Sequence, residues 1–172
     1  MTPNPFKPPD TDPGKSPRPP ATPGSPLKAV LSGLAVDIGG TWLLSAVLTI
    51  FHVIQLMGQG LSETEVRDAL ENVPHDSGFY IGATLLGALM SVAGGYACAR
   101  VARRDEYRPG LVMAAASAVF GIVMTSRPDL DEMMLLLTAT GFACNLLGVK
   151  YGAEYNRRAE AAADPAKDAP TP

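Results

Sequence analysis

Four apolar runs set the architecture that the sequence predicts. After Lys28, positions 29–57 hold one charged residue, Asp37, and one histidine, His52. An apolar stretch of about 20 residues crosses the hydrocarbon core of a bilayer as a helix. The second run, 79–101, meets charge only at Arg100, near its end. Runs 111–126 and 133–149 span 16 and 17 residues, at the lower edge of spanning length. Between them, Arg-Pro-Asp-Leu-Asp-Glu (127–132) predicts a tight turn that leaves acidic residues at the start of the next helix. None of the four runs contains proline, so each reads as an unbroken helix.

The polar stretches between and around these runs carry their own signals. In the first loop, Ser62 and Glu65 match a capping box, and Leu61 and Val66 are spaced as a hydrophobic staple across it. Val66, Ala69, Leu70 and Val73 then recur at helical spacing among acidic and basic neighbours, which predicts a short amphipathic helix. Either it is an ordinary ordered loop helix or it forms a lid over the bundle mouth. Residues 1–27 contain ten of the sixteen prolines and almost no large apolar side chains. They predict a disordered tail with polyproline II bias. Residues 154–172 predict a second tail, helical at first and stopped by Pro165.

Lysine and arginine positions orient the spans. Four lie before the first span (Lys7, Lys15, Arg18, Lys28), four between the second and third, and four after the fourth (Lys150, Arg157, Arg158, Lys167). Only Arg67 and Arg127 fall in the other two loops. Positive residues stay on the cytoplasmic side, so both termini are expected there. The predicted fold is an all-α integral membrane four-helix bundle, N-in and C-in, with a short amphipathic helix in the first outer loop. Its membrane domain covers 28–153.

Composition agrees and excludes alternatives. Charged residues are 18% of the chain and hydrophobic residues 47%, against roughly 25% charged in soluble domains. A net charge of −3 provides no basic field for nucleic acid. Cys98 and Cys144 both lie in apolar runs and have no metal-ligand spacing, so they read as packing residues. His52 and His75 have no metal-binding spacing either, and Trp42 falls mid-span, where it reads as a packing residue.

Asp37 is the polar residue that demands an explanation. It lies about 13 Å into the membrane counted from Lys28, where a carboxylate costs roughly 2.5–3.5 kcal/mol. It should therefore face the bundle interior, paired or protonated. The same depth count places Ser117 and Asn145 within about two turns of it, and Arg100, Arg103 and Lys150 within snorkelling reach. Gly39 and Gly40 follow at once and either loosen the helix or admit a neighbouring backbone. The group is either a structural polar bond or an ion- or proton-handling site.

Small residues recur every four positions in the second span, at Ala83, Gly87, Ser91, Gly95 and Ala99. Such a stripe lets another helix approach closely, within the chain or in a homo-oligomer. Arg100, Arg103, Arg104 and Arg108 either set topology or meet anionic lipid headgroups. No H-E-x-x-H, G-x-S-x-G or P-loop pattern occurs, and Ser45 and Ser91 have no base at their depth. No catalytic, cofactor or metal site is therefore predicted.

The run Gly94-Gly95-Tyr96-Ala97-Cys98-Ala99-Arg100-Val101-Ala102-Arg103-Arg104, followed by Gly110 opening a new span, resembles a G-G-[YF]-x-x-A-R hairpin. That hairpin occurs in small four-helix bacterial inner-membrane proteins of unknown function. The resemblance implies a bacterial inner-membrane location and four spans, and no activity. The function expected from the sequence is a non-enzymatic membrane protein that acts by assembly, as a scaffold or accessory subunit. The alternative is a small transporter or channel component that uses Asp37. The partners expected are the bilayer and either a second copy or another membrane protein, with no nucleic acid.

Overall fold

The computed structural model describes residues 24–125 and 132–163. The N-terminal tail up to residue 23, the predicted turn before Glu132 and the last part of the C-terminal tail lie outside the described residues. The described chain is helical: α1 (Pro26–Leu34), a π-helical turn (Ala35–Gly39), α2 (Gly40–Gly58), α3 (Glu63–Glu71), α4 (Gly78–Ala102), α5 (Tyr107–Thr125) and α6 (Glu132–Ala163). The first two helices and the π-turn form one continuous rod of 33 residues, Pro26–Gly58. This rod, α4, α5 and α6 are each long and apolar enough to cross a bilayer. The protein is a multi-pass α-helical membrane protein.

Local chemistry sets the helix ends. Pro26 occupies the first turn of α1, where its missing N–H costs nothing, so the helix begins three residues before the predicted run at 29. Gly60 ends α2 in a left-handed conformation at φ 87°. Its N–H bonds to the Met57 carbonyl and the Leu61 N–H to the Leu56 carbonyl, which satisfies the last turn. In α3, Ser62 Oγ accepts from the Glu65 N–H, while Glu65 Oε2 accepts from the Ser62 N–H at 2.8 Å. Val66 is buried in this helix. The last helix is longer than the apolar run because its tail is rich in alanine, and it continues to Ala163.

Packing divides the bundle into two unlike halves. Helix α4 is central and touches α1, α2, α5 and α6. At the end carrying the start of α1 (the terminal end), Ala29, Cys98, Ala102 and Met113 form a core, with Val30 and Leu34 against it. Val149 and Ala153 are also buried there. A Cβ at Gly95 would lie 2.0 Å from the Asn145 carbonyl oxygen, and one at Gly148 would lie 2.0 Å from the Val92 carbonyl oxygen. Backbone therefore meets backbone between α4 and α6, which only glycine permits. At the opposite end, which carries the α2–α4 connection, packing gives way. Among the described residues, none in α2, in α4 before Ser91, in α5 after Ala114 or in α6 before Asn145 is buried. The bundle is clamped at one end and splayed at the other.

Candidate functional site: a buried carboxylate at the floor of a vestibule

Asp37 sits where the two halves meet. It lies in the π-turn and is 3% exposed, although Val36 and Trp42 on the same rod are open to the surroundings. A π-turn adds one residue to a helical turn and so rotates the side chains that follow. Three helices converge on the carboxylate. Ser91 Oγ of α4 donates to Oδ1 at 2.9 Å, Ser117 Oγ of α5 donates to Oδ2 at 2.5 Å, and Asn145 Nδ2 of α6 donates to Oδ2 at 3.2 Å. Hydrogen bonds to a charged group contribute about 1.5–3 kcal/mol each. Three of them outweigh the roughly 2.5–3.5 kcal/mol of placing the carboxylate at this depth. Among the described residues, no cation pairs with Asp37.

This arrangement leaves an acceptor without a partner. A carboxylate only accepts, so the Asn145 amide must turn its nitrogen towards Asp37. Its Oδ1 then faces away, and it is buried with no hydrogen-bond partner among the described residues. The Asn145 residue as a whole is 1% exposed. Such an orphan typically costs about 1–3 kcal/mol.

Two cavities reach this floor from the splayed end. One, of about 540 Å³, lies among α4, α5 and α6 and runs from His75, Tyr80 and Met133 down to Ser91, Ser117 and Asn145. The other, of about 380 Å³, is lined by Asp37, Thr41 and Trp42 on one side and by Thr84, Ser91 and Ser117 on the others. Both include Ser91, Ser117, Gly121, Leu137 and Gly141, so they meet beside the carboxylate. Their walls are mostly apolar, broken by hydroxyls.

The structure thus brings Asp37, Ser117 and Asn145 together. It adds Ser91, which the sequence marks as a small packing residue and as a serine with no base at its depth. Ser91 lies 11 residues from the end of α4 at Ala102, a depth of about 16 Å. The depth count that selected Ser117 would have found it too. The stripe itself splits. Ser91, Gly95 and Ala99 are buried inside the chain, while a Cβ at Gly87 would meet nothing within 4 Å because that residue borders the vestibule. Ala83 is half-buried at the same open end.

Other candidates take different places. Arg100 turns back into the protein: Nη1 donates to Asn156 Oδ1 at 3.3 Å, and the guanidinium lies 4.0 Å over the Tyr155 ring. It fastens α4 to α6 at the terminal end and does not reach Asp37. Asn156 Nδ2 completes that latch by donating to the Ala99 carbonyl at 2.9 Å. Arg103, Arg104 and Arg108 are exposed at the same end. Gly40 admits the Met90 side chain, not a backbone. Trp42 is 65% exposed and borders the second cavity, so it does not pack into the described bundle. His52 stacks on Phe79 at 4.3 Å and His75 meets Tyr80 edge-on at 4.8 Å. Among the described residues, no three His, Cys, Asp or Glu side chains are grouped to hold a metal ion.

Compared with protein-family models, with curated proteins and with solved structures, the chain has no match.

Proposed function

We propose that this protein is a small transporter or channel component that binds a monovalent cation or a proton at Asp37. The observation that carries this reading is a buried carboxylate, without a cationic partner among the described residues, at the floor of a vestibule open at one end. Intramembrane carboxylates facing a cavity are costly and mark ion or substrate sites. The clamped terminal end supports one-sided access, because the core and the Arg100–Asn156 latch lie between Asp37 and that side. Along the sequence, twelve of the fourteen Lys and Arg residues lie in the two tails or around the connection between the second and third spans. That bias supports four spans with both termini cytoplasmic, a vestibule facing outward, and Arg103, Arg104 and Arg108 at the headgroups. The resemblance of the 94–104 hairpin supports a bacterial inner membrane as the location.

The stripe on α4 offers little for homo-oligomerisation, since Ser91, Gly95 and Ala99 already pack within the chain. Assembly with another membrane protein keeps one observation in its favour: no residue of α2 is buried. Flux measurements in proteoliposomes separate the two readings. Wild-type protein should carry protons or potassium above protein-free vesicles, and Asp37→Asn, folded to the same extent, should not. Equal flux in the two proteins, or none in wild type, overturns the ion-handling reading.

A further inference from the structure

We infer that the vestibule takes a protonated organic amine, with its ammonium beside Asp37 and Asn145 and its apolar body along α5 and α6. The inference rests on the cation-binding reading above and narrows it to a ligand class. Three features of the floor select the ligand's head. First, the carboxylate has three neutral donors and, among the described residues, no counter-charge, so a cationic head group completes it. Second, Asn145 Oδ1 is a buried acceptor without a partner on a residue that lines the larger cavity. A head group carrying N–H donors can pair with Asp37 and, as the Asn145 amide turns its oxygen to the cavity, with Oδ1 as well, whereas a quaternary ammonium leaves Oδ1 unmet. Third, the Ser91 and Ser117 hydroxyls and the Asn145 amide spend their hydrogens on Asp37. With those hydrogens spent, the floor offers chiefly acceptor lone pairs, which suits a ligand head that brings its own N–H groups.

The walls select the rest of the ligand. Met133, Leu137 and Phe142 line the larger cavity above the polar floor. Its volume of about 540 Å³ lies within the roughly 300–1,000 Å³ of small-molecule sites. An apolar body against these side chains gains from each methylene removed from water, about fourfold in affinity per group. Where the two cavities share Ser91 and Ser117, the Asp37 carboxylate of one meets the greasy shaft of the other, which suits an alkyl or aryl amine.

The chain has one tryptophan, Trp42, on the wall of the cavity that contains Asp37. Its fluorescence therefore reports binding in full-length protein purified in detergent. The probes are ethylammonium, butylammonium, hexylammonium, hexyltrimethylammonium, hexanol and potassium chloride. Asp37→Asn serves as the blank for partition into the micelle. Affinity should rise about fourfold per methylene along the primary amines and fall at least tenfold for the trimethylated analogue and for hexanol. Asn145→Leu should bind hexylammonium and its trimethylated analogue equally. If that variant does not fold, the comparison of the two probes on wild type decides. Equal affinity for the two probes in wild type, or no amine response beyond the Asp37→Asn blank, overturns the inference. When proton or potassium flux through wild type persists in that case, the cation-binding reading survives without it. When flux is also absent, both fall.

Discussion

The contrast between the two halves of the bundle makes Gly148 and Gly87 a matched pair. A Cβ at Gly148 would lie 2.0 Å from the Val92 carbonyl oxygen and 2.9 Å from the Tyr96 nitrogen. Ordinary contact begins at 3.4 Å, so α4 and α6 must separate by about 1.4 Å to admit one methyl group. The obstacle is backbone, so no rotamer change relieves it. Overpacking of this kind costs about 1–3 kcal/mol, and the neighbouring fit of Gly95 against Asn145 is disturbed with it. Alanine gains about 1 kcal/mol over glycine in a helix interior. At Gly148 the nearest atoms are all backbone, which puts the cost in the upper part of that range, so the gain only partly offsets it and Gly148→Ala should lower stability by about 1–2 kcal/mol. At Gly87 a Cβ meets nothing within 4 Å, so Gly87→Ala should be neutral or more stable by up to about 1 kcal/mol. Thermal unfolding of both variants in one detergent provides the comparison. A Gly148→Ala protein as stable as wild type, or a Gly87→Ala protein that loses stability, would refute the division into clamped and splayed halves.

Three further outcomes are expected. The Ser62 N–H and hydroxyl hold the Glu65 carboxyl below its usual value of 4.5; the α3 cap is therefore complete above that pH and is lost as pH falls through the lower folded value. Hydrogen exchange across Thr64–Asn72, corrected for intrinsic rates, should lose protection on acidification, and in Ser62→Ala at neutral pH it should lose about 0.5–2 kcal/mol; pH-independent protection would contradict the cap. Asp37→Leu should destabilise the bundle by at least about 2 kcal/mol, because Ser91, Ser117 and Asn145 lose their common acceptor, whereas Asp37→Asn keeps an acceptor and should unfold near the wild-type temperature. In a variant lacking Cys98 and Cys144, a cysteine at Glu65 should react with an impermeant reagent on intact cells and one at Arg104 should not; labelling at Arg104 would contradict termini on the cytoplasmic side.

Much of this architecture is legible from charge-free runs, because a bilayer demands about 20 apolar residues and self-satisfied backbone. The depth count placed Asp37, Ser117 and Asn145 near one another because helix rise is fixed at 1.5 Å per residue. Hydropathy is blind to what completes the site. A π-turn at Ala35–Gly39 changes side-chain direction without changing apolar content. The four-residue spacing of Ala83, Gly87, Ser91, Gly95 and Ala99 is uniform, yet the helices part beside Gly87, so half of one sequence pattern packs and half borders space. Arg100 looks like its charged neighbours in sequence, but only it has a ring and an amide across the helix gap to receive it.

Infrared difference spectroscopy on the purified protein tests the central claim, a cation held at Asp37, most directly. Spectra with and without butylammonium chloride or potassium chloride should show a shifted carboxylate band in wild type, and that band should be missing in Asp37→Asn. Difference spectra that are identical in the two proteins would contradict the account.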